Sequence, residues 1–206
     1  MRWKVCGLKN YTNINEVAKF MPDYIGFIFY PKSPRYVGES FHLPVVSEKI
    51  KKVGVFVDEP IHFVVQTVQN YNLDYAQLHG EEDAKYIQEL KRKGLRLIKA
   101  VSVETKKDFE GLENLEVDFF IFDTKIKGAR GGTGLKFNWN IIPKNFSKPF
   151  LIAGGLSVED LDNEFNHPQL RGWDFNSKLE IEPGLKDLAK VEALSKAINK
   201  KRRWIN

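Results

Sequence analysis

The sequence predicts an α/β protein, a single (β/α)8 TIM barrel with a closed parallel sheet. Eight short apolar segments, each of strand length, alternate along the 206 residues with helical or loop segments. Most connections between them span only a few residues, as is typical of β/α units. The doubly wound open sheet is the competing fold, but it rarely holds eight units in so short a chain. We therefore expect one barrel domain over residues 1–206.

The first half of the barrel is predicted from four strands and the segments between them. Asn13, with Glu16 three residues later, resembles a capping box at the start of the first helix. A second helix is predicted at 43–51, and Pro60 opens a third, where its missing N–H costs nothing. Acidic residues begin and basic residues end a further helix at 81–94. The predicted strands are 2–6, 23–30, 53–57 and 75–78.

The second half repeats the same alternation. A short helix is predicted near 105–109, and Ser157 with Asp160 forms a second capping-box pattern. Asp187 caps the last helix, whose apolar residues recur at helical spacing and should face inward. The predicted strands are 95–101, 119–122, 150–153 and 172–175.

The composition favours a globular protein of the cytoplasm. Hydrophobic residues make up 42% of the chain and charged residues 29%, which argues against disorder. The longest apolar runs are far shorter than the roughly 18 residues that a membrane span requires, so no membrane partner is expected. The chain enters a strand-like segment at once, without the pattern of a secretory signal.

The net charge of +5 could suit an anionic metabolite or nucleic acid. The basic segment 196–203 lacks the interleaved aromatic residues and loop glycines of a nucleic-acid surface, so it is interpreted as the solvated end of a helix. Cys6, the single cysteine, excludes an intramolecular disulfide and a zinc site of several cysteines. We expect no metal, no cofactor and no nucleic-acid partner.

The sixth strand ends on Asp123 and is followed by a glycine-rich loop over 124–134. In barrels of parallel strands, the carboxyl ends of the strands carry the chemistry and the loops after them cover the ligand. Glycines such as Gly132 let backbone N–H groups approach that ligand. A capping aspartate followed by a plain connection is the alternative. The same edge would also hold Cys6 and His79, at the ends of strands one and four.

The loops after strands seven and eight favour a phosphate site. They read AGGLS and DFNSK, so Gly154 and Gly155 would expose N–H groups while Asn176 and Ser177 add donors. Glycines that merely allow close packing are the structural alternative.

Cys6 and Asp123 would supply a base and an acid facing each other across the barrel mouth. The Cys6 thiolate could remove a proton once a positive environment lowers its pKa. Asp123 could protonate an oxygen if apolar surroundings raise its own pKa. These residues predict an isomerase or lyase for a phosphorylated small molecule, without naming the substrate.

Seven motifs, in order, resemble those of the phosphoribosylanthranilate isomerase family of tryptophan biosynthesis. The resemblance runs from residue 4 to about residue 188. The motifs are WKVCGLKN, GFIFYPKSPRYV, VGVFV, QLHGEE, FDTK with GGTG and FNW, LIAGGLS, and DFNSKLEIEPGLKD. The resemblance implies an Amadori rearrangement of N-(5-phosphoribosyl)anthranilate to 1-(2-carboxyphenylamino)-1-deoxyribulose 5-phosphate.

The resemblance also implies roles for individual residues. Asp123 would be the general acid on the furanose ring oxygen and Cys6 the general base on the C2 proton of the Schiff base. Arg35 would hold the anthranilate carboxylate, and Lys178 departs from the small residue more usual in the family. The remaining substrate-binding residues are expected to be His79, Gly132, Gly154, Gly155, Asn176 and Ser177, the last four at the phosphate.

Two alternatives stay open. The related isomerase of histidine biosynthesis performs the same rearrangement on another ribonucleotide, but it resembles two half-barrels and has an aspartate where this chain has Cys6. A barrel that only binds a phosphorylated metabolite, or RNA through its basic end, is the non-catalytic alternative. The sequence leaves the assembly open between monomer and homodimer.

Overall fold

The computed structural model describes residues 1–124 and 137–205, with side chains up to residue 202. Its eight parallel strands each hydrogen-bond the next, and the eighth returns to the first. The prediction of a closed (β/α)8 barrel is therefore confirmed. Two further strands pair as an antiparallel hairpin. The barrel strands are β1 Arg2–Val5, β2 Tyr24–Ile28, β3 Lys51–Phe56, β4 Tyr75–Leu78, β5 Leu97–Val103, β6 Phe119–Thr124, β7 Phe150–Ile152 and β8 Leu170–Phe175, and the hairpin strands are β9 Glu180–Glu182 and β10 Leu185–Lys186.

Within the described residues, α-helices lie outside the first half of the barrel, and 3-10 turns take their place in much of the second half. Helices follow β1, β3 and β4 and close the chain, whereas 3-10 turns follow β5, β6 and β7. The turns use fewer residues than helices, which explains how 206 residues complete eight units. The helices are α1 Tyr11–Ala18, α2 Ile61–Asn70, α3 Ala84–Arg92 and α4 Leu188–Ile205, and the turns are Lys106–Phe109, Leu112–Asn114, Trp139–Ile141, Val158–Asp162 and Ser177–Leu179.

The apolar core has two layers, and β6 contributes to both. Phe119 and Ile121 lie in the cluster inside the barrel. Phe120 and Phe122 lie in the larger cluster between the strands and the outer elements, where the Phe122 ring centroid is 5.3 Å from that of Phe146. Both faces of the strand are buried, and this accounts for an unbroken apolar run instead of alternation.

The start of α1 differs from the prediction. The N-cap is Asn10, whose side chain accepts the backbone N–H of Asn13, so the capping box expected at Asn13 and Glu16 is wrong. Asn13 is buried and bonds the backbone of Lys186 instead. Its Nδ2 donates to the Lys186 carbonyl at 2.9 Å, and its Oδ1 accepts the Lys186 N–H at 2.8 Å. Asn13 therefore ties α1 to the hairpin.

The helix expected at 43–51 is absent; this segment is irregular until β3 begins at Lys51. Pro44 lies inside the segment, where it removes a backbone donor and disfavours a helical residue before it. An aromatic contact just upstream anchors the connection. Phe41 is buried, and its ring centroid lies 5.3 Å from that of Tyr71 at the end of α2.

Other local signals are confirmed. The capping box of Ser157 and Asp160 begins a 3-10 turn. Pro60 directly precedes α2 as its N-cap. Asp187 accepts the Ala189 N–H at 3.0 Å at the start of α4, and the buried face of that helix is as predicted. No helix in the described part of the chain is long and apolar enough to cross a membrane.

The barrel closes where β8 meets β1. Arg2 pairs with Gly172, and each following residue of β1 pairs with the next residue of β8. The two backbones approach so closely at Gly172 that a Cβ there would lie 1.8 Å from the carbonyl oxygen of Arg2. Both groups are parts of paired strands and cannot move apart without opening the barrel.

We expect Gly172→Ala to destabilise the fold by about 2–4 kcal/mol, because backbone atoms must shift to admit the methyl group. Gly94→Ala is the matched control, since the space beside Gly94 is open and only its positive φ of 81° opposes a side chain. That control should cost about 1 kcal/mol. Urea unfolding of both variants measures the difference, and equal losses would contradict the steric account.

Candidate active site

The carboxyl ends of the strands bring most of the predicted site residues to one edge of the barrel. Cys6 follows β1, and its N–H donates to the Phe175 carbonyl of β8 at 2.8 Å. His79 follows β4, where its N–H donates to the Phe56 carbonyl of β3 at 2.8 Å. Asp123 lies near the end of β6. These backbone bonds extend the barrel by one residue and hold the side chains above its apolar interior.

Asp123 has the environment that a general acid requires. Its Oδ1 accepts the N–H of Thr124 at 2.7 Å, and its Oδ2 lies 3.8 Å from Nε2 of His79. Burial raises the pKa of Asp123 to about 6, against the opposing effects of the Thr124 N–H and the charge of Lys4. The carboxyl group is therefore protonated in an appreciable fraction of molecules near neutral pH, as the sequence interpretation required.

His79 is the neutral neighbour of this acid. Burial, together with the positive charges of Lys99 and Lys4, lowers its pKa to about 4. The imidazole is therefore uncharged at neutral pH and offers Asp123 no ion pair.

Cys6 is buried, and the positive charges near it only partly offset the effect of burial on the pKa of its thiol. Burial raises the pKa of its thiol, and Asp174 adds to the increase, whereas Lys4 and Lys186 oppose it. Lys4 and Lys186 provide the positive environment that the sequence interpretation required, but desolvation outweighs them. The resting sulfur is therefore mainly a thiol at neutral pH.

The loops after β7 and β8 hold the predicted phosphate residues. Gly154 and Gly155 both have positive φ, at 96° and 62°. Gly154 stands against Asp123, because a Cβ on it would lie 2.9 Å from Oδ1 of that residue. Ser177 begins a 3-10 turn directly after Asn176. Gly132 and the rest of 125–136 lie outside the described residues.

Lys186 holds the side chain of Asn176 at the carboxyl-end edge of the barrel. Its Oδ1 accepts a hydrogen bond from Lys186 Nζ at 2.8 Å, and the same ammonium lies 2.8 Å from Glu180 Oε1. Burial lowers the pKa of Lys186 to about 8, although Glu180 opposes the change.

Arg35 reaches the site from the loop after β2 and is held there by Glu180. Its Nε donates to Glu180 Oε1 at 2.9 Å, and its Nη2 donates to Oε2 at 2.7 Å. This two-point contact fixes the plane of the guanidinium group. Burial opposes the charge of Glu180, but the hydrogen bond of Arg35 and the charge of Lys186 hold the pKa of this carboxyl below its usual value.

Sequence reasoning missed four charged residues of the site: Lys4, Asp174, Glu180 and Lys186. Lys4 Nζ is 2.8 Å from Asp174 Oδ2, and both residues are buried inside the barrel. The available signal was a charged residue within an apolar strand, as in RWKV and LRGWDF. Such a residue points inward only if it has a partner.

A closed (β/α)8 barrel with an acid and a thiol at its strand ends has the architecture of a barrel isomerase or lyase. The family model of N-(5'-phosphoribosyl)anthranilate (PRA) isomerase matches residues 3–197. The chain belongs to this family.

Curated relatives agree with that assignment. The chain is 42% identical to the N-(5'-phosphoribosyl)anthranilate isomerase of Parabacteroides distasonis over 198 residues, which cover 92% of this chain and 89% of the relative. It is 38% identical to the enzyme of the same name from Phocaeicola vulgatus over 204 residues, covering 96% and 98% of the two chains.

Solved structures share the whole fold. The Thermotoga maritima phosphoribosyl anthranilate isomerase superposes with a TM-score of 0.84 at 27% identity, covering 97% of this chain and 99% of the other. A further isomerase structure is in complex with reduced 1-(o-carboxyphenylamino)-1-deoxyribulose 5-phosphate. It has a TM-score of 0.81 at 26% identity, with coverage of 97% and 99%.

The raised pKa of Asp123 implies a cost in stability. A carboxyl whose pKa is higher in the folded protein than in the unfolded chain destabilises the fold as pH rises through that range. We expect Asp123→Asn to raise the free energy of unfolding at pH 8 by about 1–3 kcal/mol, because the amide is never charged but can still accept the Thr124 N–H.

The gain should vanish near pH 4, where Asp123 is already neutral in the folded protein. Urea unfolding of the two proteins at both pH values measures it. A gain that is the same at pH 4 and pH 8 would show that charge burial is not its cause.

Proposed function

We propose that the chain catalyses the Amadori rearrangement of N-(5'-phosphoribosyl)anthranilate to 1-(2-carboxyphenylamino)-1-deoxyribulose 5-phosphate, a step of tryptophan biosynthesis. The observation that carries the proposal is the pairing of an acid with a raised pKa, Asp123, with a buried thiol, Cys6, at the carboxyl-end edge of this family's barrel. A proton donor and a proton acceptor are what the rearrangement needs, because it moves hydrogen without a net change in composition.

In the first step, Asp123 donates its proton to the furanose ring oxygen. The bond from that oxygen to C1 breaks, and the nitrogen lone pair forms the C1–N double bond of a protonated Schiff base. A pKa of about 6 suits this role, since the acid is available near neutral pH and still gives up its proton readily.

In the second step, the Cys6 thiolate removes the proton from C2. The electron pair of the C–H bond moves toward the Schiff base and forms an enolamine, which becomes the ketone by tautomerisation. The productive enzyme thus carries a protonated Asp123 and an ionised Cys6, although the pKa order makes the reverse arrangement more abundant. After these two steps Asp123 has lost a proton and Cys6 has gained one. Both groups must return to their starting protonation states before the next turnover.

The two anionic ends of the substrate are assigned to two sets of residues. Arg35, aligned by Glu180, binds the anthranilate carboxylate. Gly154, Gly155, Asn176 and Ser177 bind the phosphate through N–H groups and side-chain donors. Neutral His79 contacts the sugar near Asp123, and Gly132 contributes backbone from the loop after β6, which excludes water from the hydrolysable Schiff base.

Several broader features complete the proposal. The whole of 1–206 acts as one barrel domain in the cytoplasm, with no cofactor or metal and no nucleic-acid partner. Its assembly is a monomer or a homodimer. A solved relative supports the second possibility: it consists of monomers generated from the dimeric isomerase of Thermotoga maritima, with a TM-score of 0.80 at 26% identity.

The reaction is tested with phosphoribosylanthranilate made in situ, whose fluorescence disappears on isomerisation. We expect Asp123→Asn and Cys6→Ala each to lower kcat about a hundredfold or more, because each removes one proton transfer. Asp118→Asn is the matched control. It makes the same change at the amino end of β6, where Asp118 accepts the Leu97 N–H at 2.7 Å and serves the fold.

The control should keep near wild-type turnover. If wild-type protein shows no activity, the histidine-pathway ribonucleotide is the next substrate to assay. Absence of activity on both would leave a binding barrel, whereas full activity of either site variant would refute the role of that residue.

We expect Arg35→Ala to raise KM about tenfold or more while kcat changes less, because a carboxylate clamp distant from the reacting carbons binds ground state and transition state alike. Steady-state kinetics measures both constants. Glu180 remains paired with Lys186 at 2.8 Å in this variant, so the site keeps a partner for its buried carboxylate. An unchanged KM would remove Arg35 from the binding site.

A further inference from the structure

Lys4 is a buried cation in the floor of the active edge, with no role yet assigned. Its side chain is fully buried, and its ammonium lies 2.8 Å from Asp174 Oδ2. A buried ion pair is weak evidence of a stabilising role, since apolar residues of similar volume often serve a fold as well. Lys4 lies two residues before Cys6, so the two side chains share the inner face of the barrel. This position indicates a role in catalysis instead.

Gly26 of β2 brings the lysine and the cysteine together. A Cβ on this residue would lie 2.8 Å from Cys6 Sγ and 3.2 Å from Lys4 Nζ. The sulfur and the ammonium therefore border the same small space, which exists only because Gly26 has no side chain. Charge attraction and hydrogen bonding to Lys4 both favour the ionised sulfur.

The other charged groups around the sulfur are few among the described residues. Asp174 faces it from β8 and Lys186 from β10. Lys186 is shared with Glu180 and has a pKa of about 8, so its charge is partly lost in the alkaline range where the thiol titrates. Lys4 keeps its proton there. Burial alone would lower its pKa, but Asp174 and Cys6 outweigh burial and raise it.

We propose that Lys4 is a positioning residue for the base: its ammonium, anchored by Asp174, is the countercharge that stabilises the Cys6 thiolate. The use of this thiolate in turnover rests on the proposed function, whereas the electrostatic effect on the sulfur does not. Lys4 also lowers the pKa of Asp123. Lys4 therefore favours the thiolate of Cys6 but also reduces the protonated fraction of Asp123. It benefits turnover because its effect on Cys6 is the stronger of the two.

Because Cys6 is the only cysteine, the proposal can be tested at a single atom. Labelling with [3-13C]cysteine gives one NMR signal, whose chemical shift follows ionisation of the thiol between pH 6 and 10.5. The variants are Lys4→Met, Asp174→Asn and the double variant. The matched control is Lys99→Met, which removes another buried lysine, one that is paired with Glu82 at 2.8 Å.

We expect opposite shifts from the two members of the ion pair. Lys4→Met should move the titration of Cys6 upward by about 1–3 pH units, since an adjacent positive charge is lost. Asp174→Asn should move it downward, because a negative charge is lost. The double variant, which leaves no unpaired buried charge, should still titrate above wild type, since Lys4 acts on the sulfur more strongly than Asp174 does.

Lys99→Met should leave the titration unchanged. An unchanged titration in both the double variant and Asp174→Asn would overturn the proposal, even if Lys4→Met failed to fold. Equal upward shifts in Lys99→Met and Lys4→Met would overturn it as well, because loosened packing would then explain both.

Turnover separates this inference from the proposed function. In Lys4→Met, kcat should fall about tenfold or more with little change in KM, and the alkaline limb of its pH profile should move upward more than the acidic limb. A shifted Cys6 titration with unchanged kcat would support the electrostatic contact and overturn the role of Cys6 as base. An unshifted titration with lowered kcat would overturn the role of Lys4.

Discussion

Closure of the barrel between β1 and β8 is the contact on which the active edge depends. The register of these strands places Lys4 opposite Asp174 and Val5 opposite Phe175. The ion pair at 2.8 Å therefore bridges the same seam that the backbone bonds close. Slipping the register by one residue would turn Lys4 or Asp174 toward the outer layer and separate the pair. The pairing of β1 with β8 thus closes the barrel and also determines where the charges of the site lie.

The same seam orders the elements around it. Asn13 of α1 bonds the backbone of Lys186, and the Lys186 side chain reaches Asn176 and Glu180. Glu180 in turn aligns Arg35. The first helix, the hairpin and the loop after β2 are therefore linked by polar contacts that are mostly buried. Within this chain of contacts, Lys186 and Arg35 both have Glu180 as an opposite charge, which is the condition under which such groups can leave water.

The sequence allows the architecture to be predicted more fully than the chemistry. Tyr75–Leu78 was predicted to the residue, since a short apolar run between polar turns has few alternatives. Cys6, His79 and Asp123 were placed at strand ends for the same reason. The helix predicted at 43–51 is wrong, because Pro44 lies inside the segment and opposes helix formation.

Lys4 and Asp174 escaped notice because their pairing joins residues 170 positions apart. Local patterns carry no information about such a partner. The pKa of Cys6 could not be judged from the sequence for a similar reason, since neither the burial of the thiol nor its proximity to Lys186 is visible in a local motif. What a sequence can indicate is an unexplained charge within an apolar strand, and both residues fit that description.

The buried thiol also bears on how the protein withstands oxidants. Peroxides attack a thiolate far faster than a thiol, and repeated oxidation of sulfur becomes irreversible. Cys6 rests mainly in the protonated form and is only 5% exposed, so oxidants meet little of the reactive species. Burial keeps the fraction of Cys6 thiolate low during catalysis, and it therefore also protects the chain's single cysteine from oxidation between turnovers.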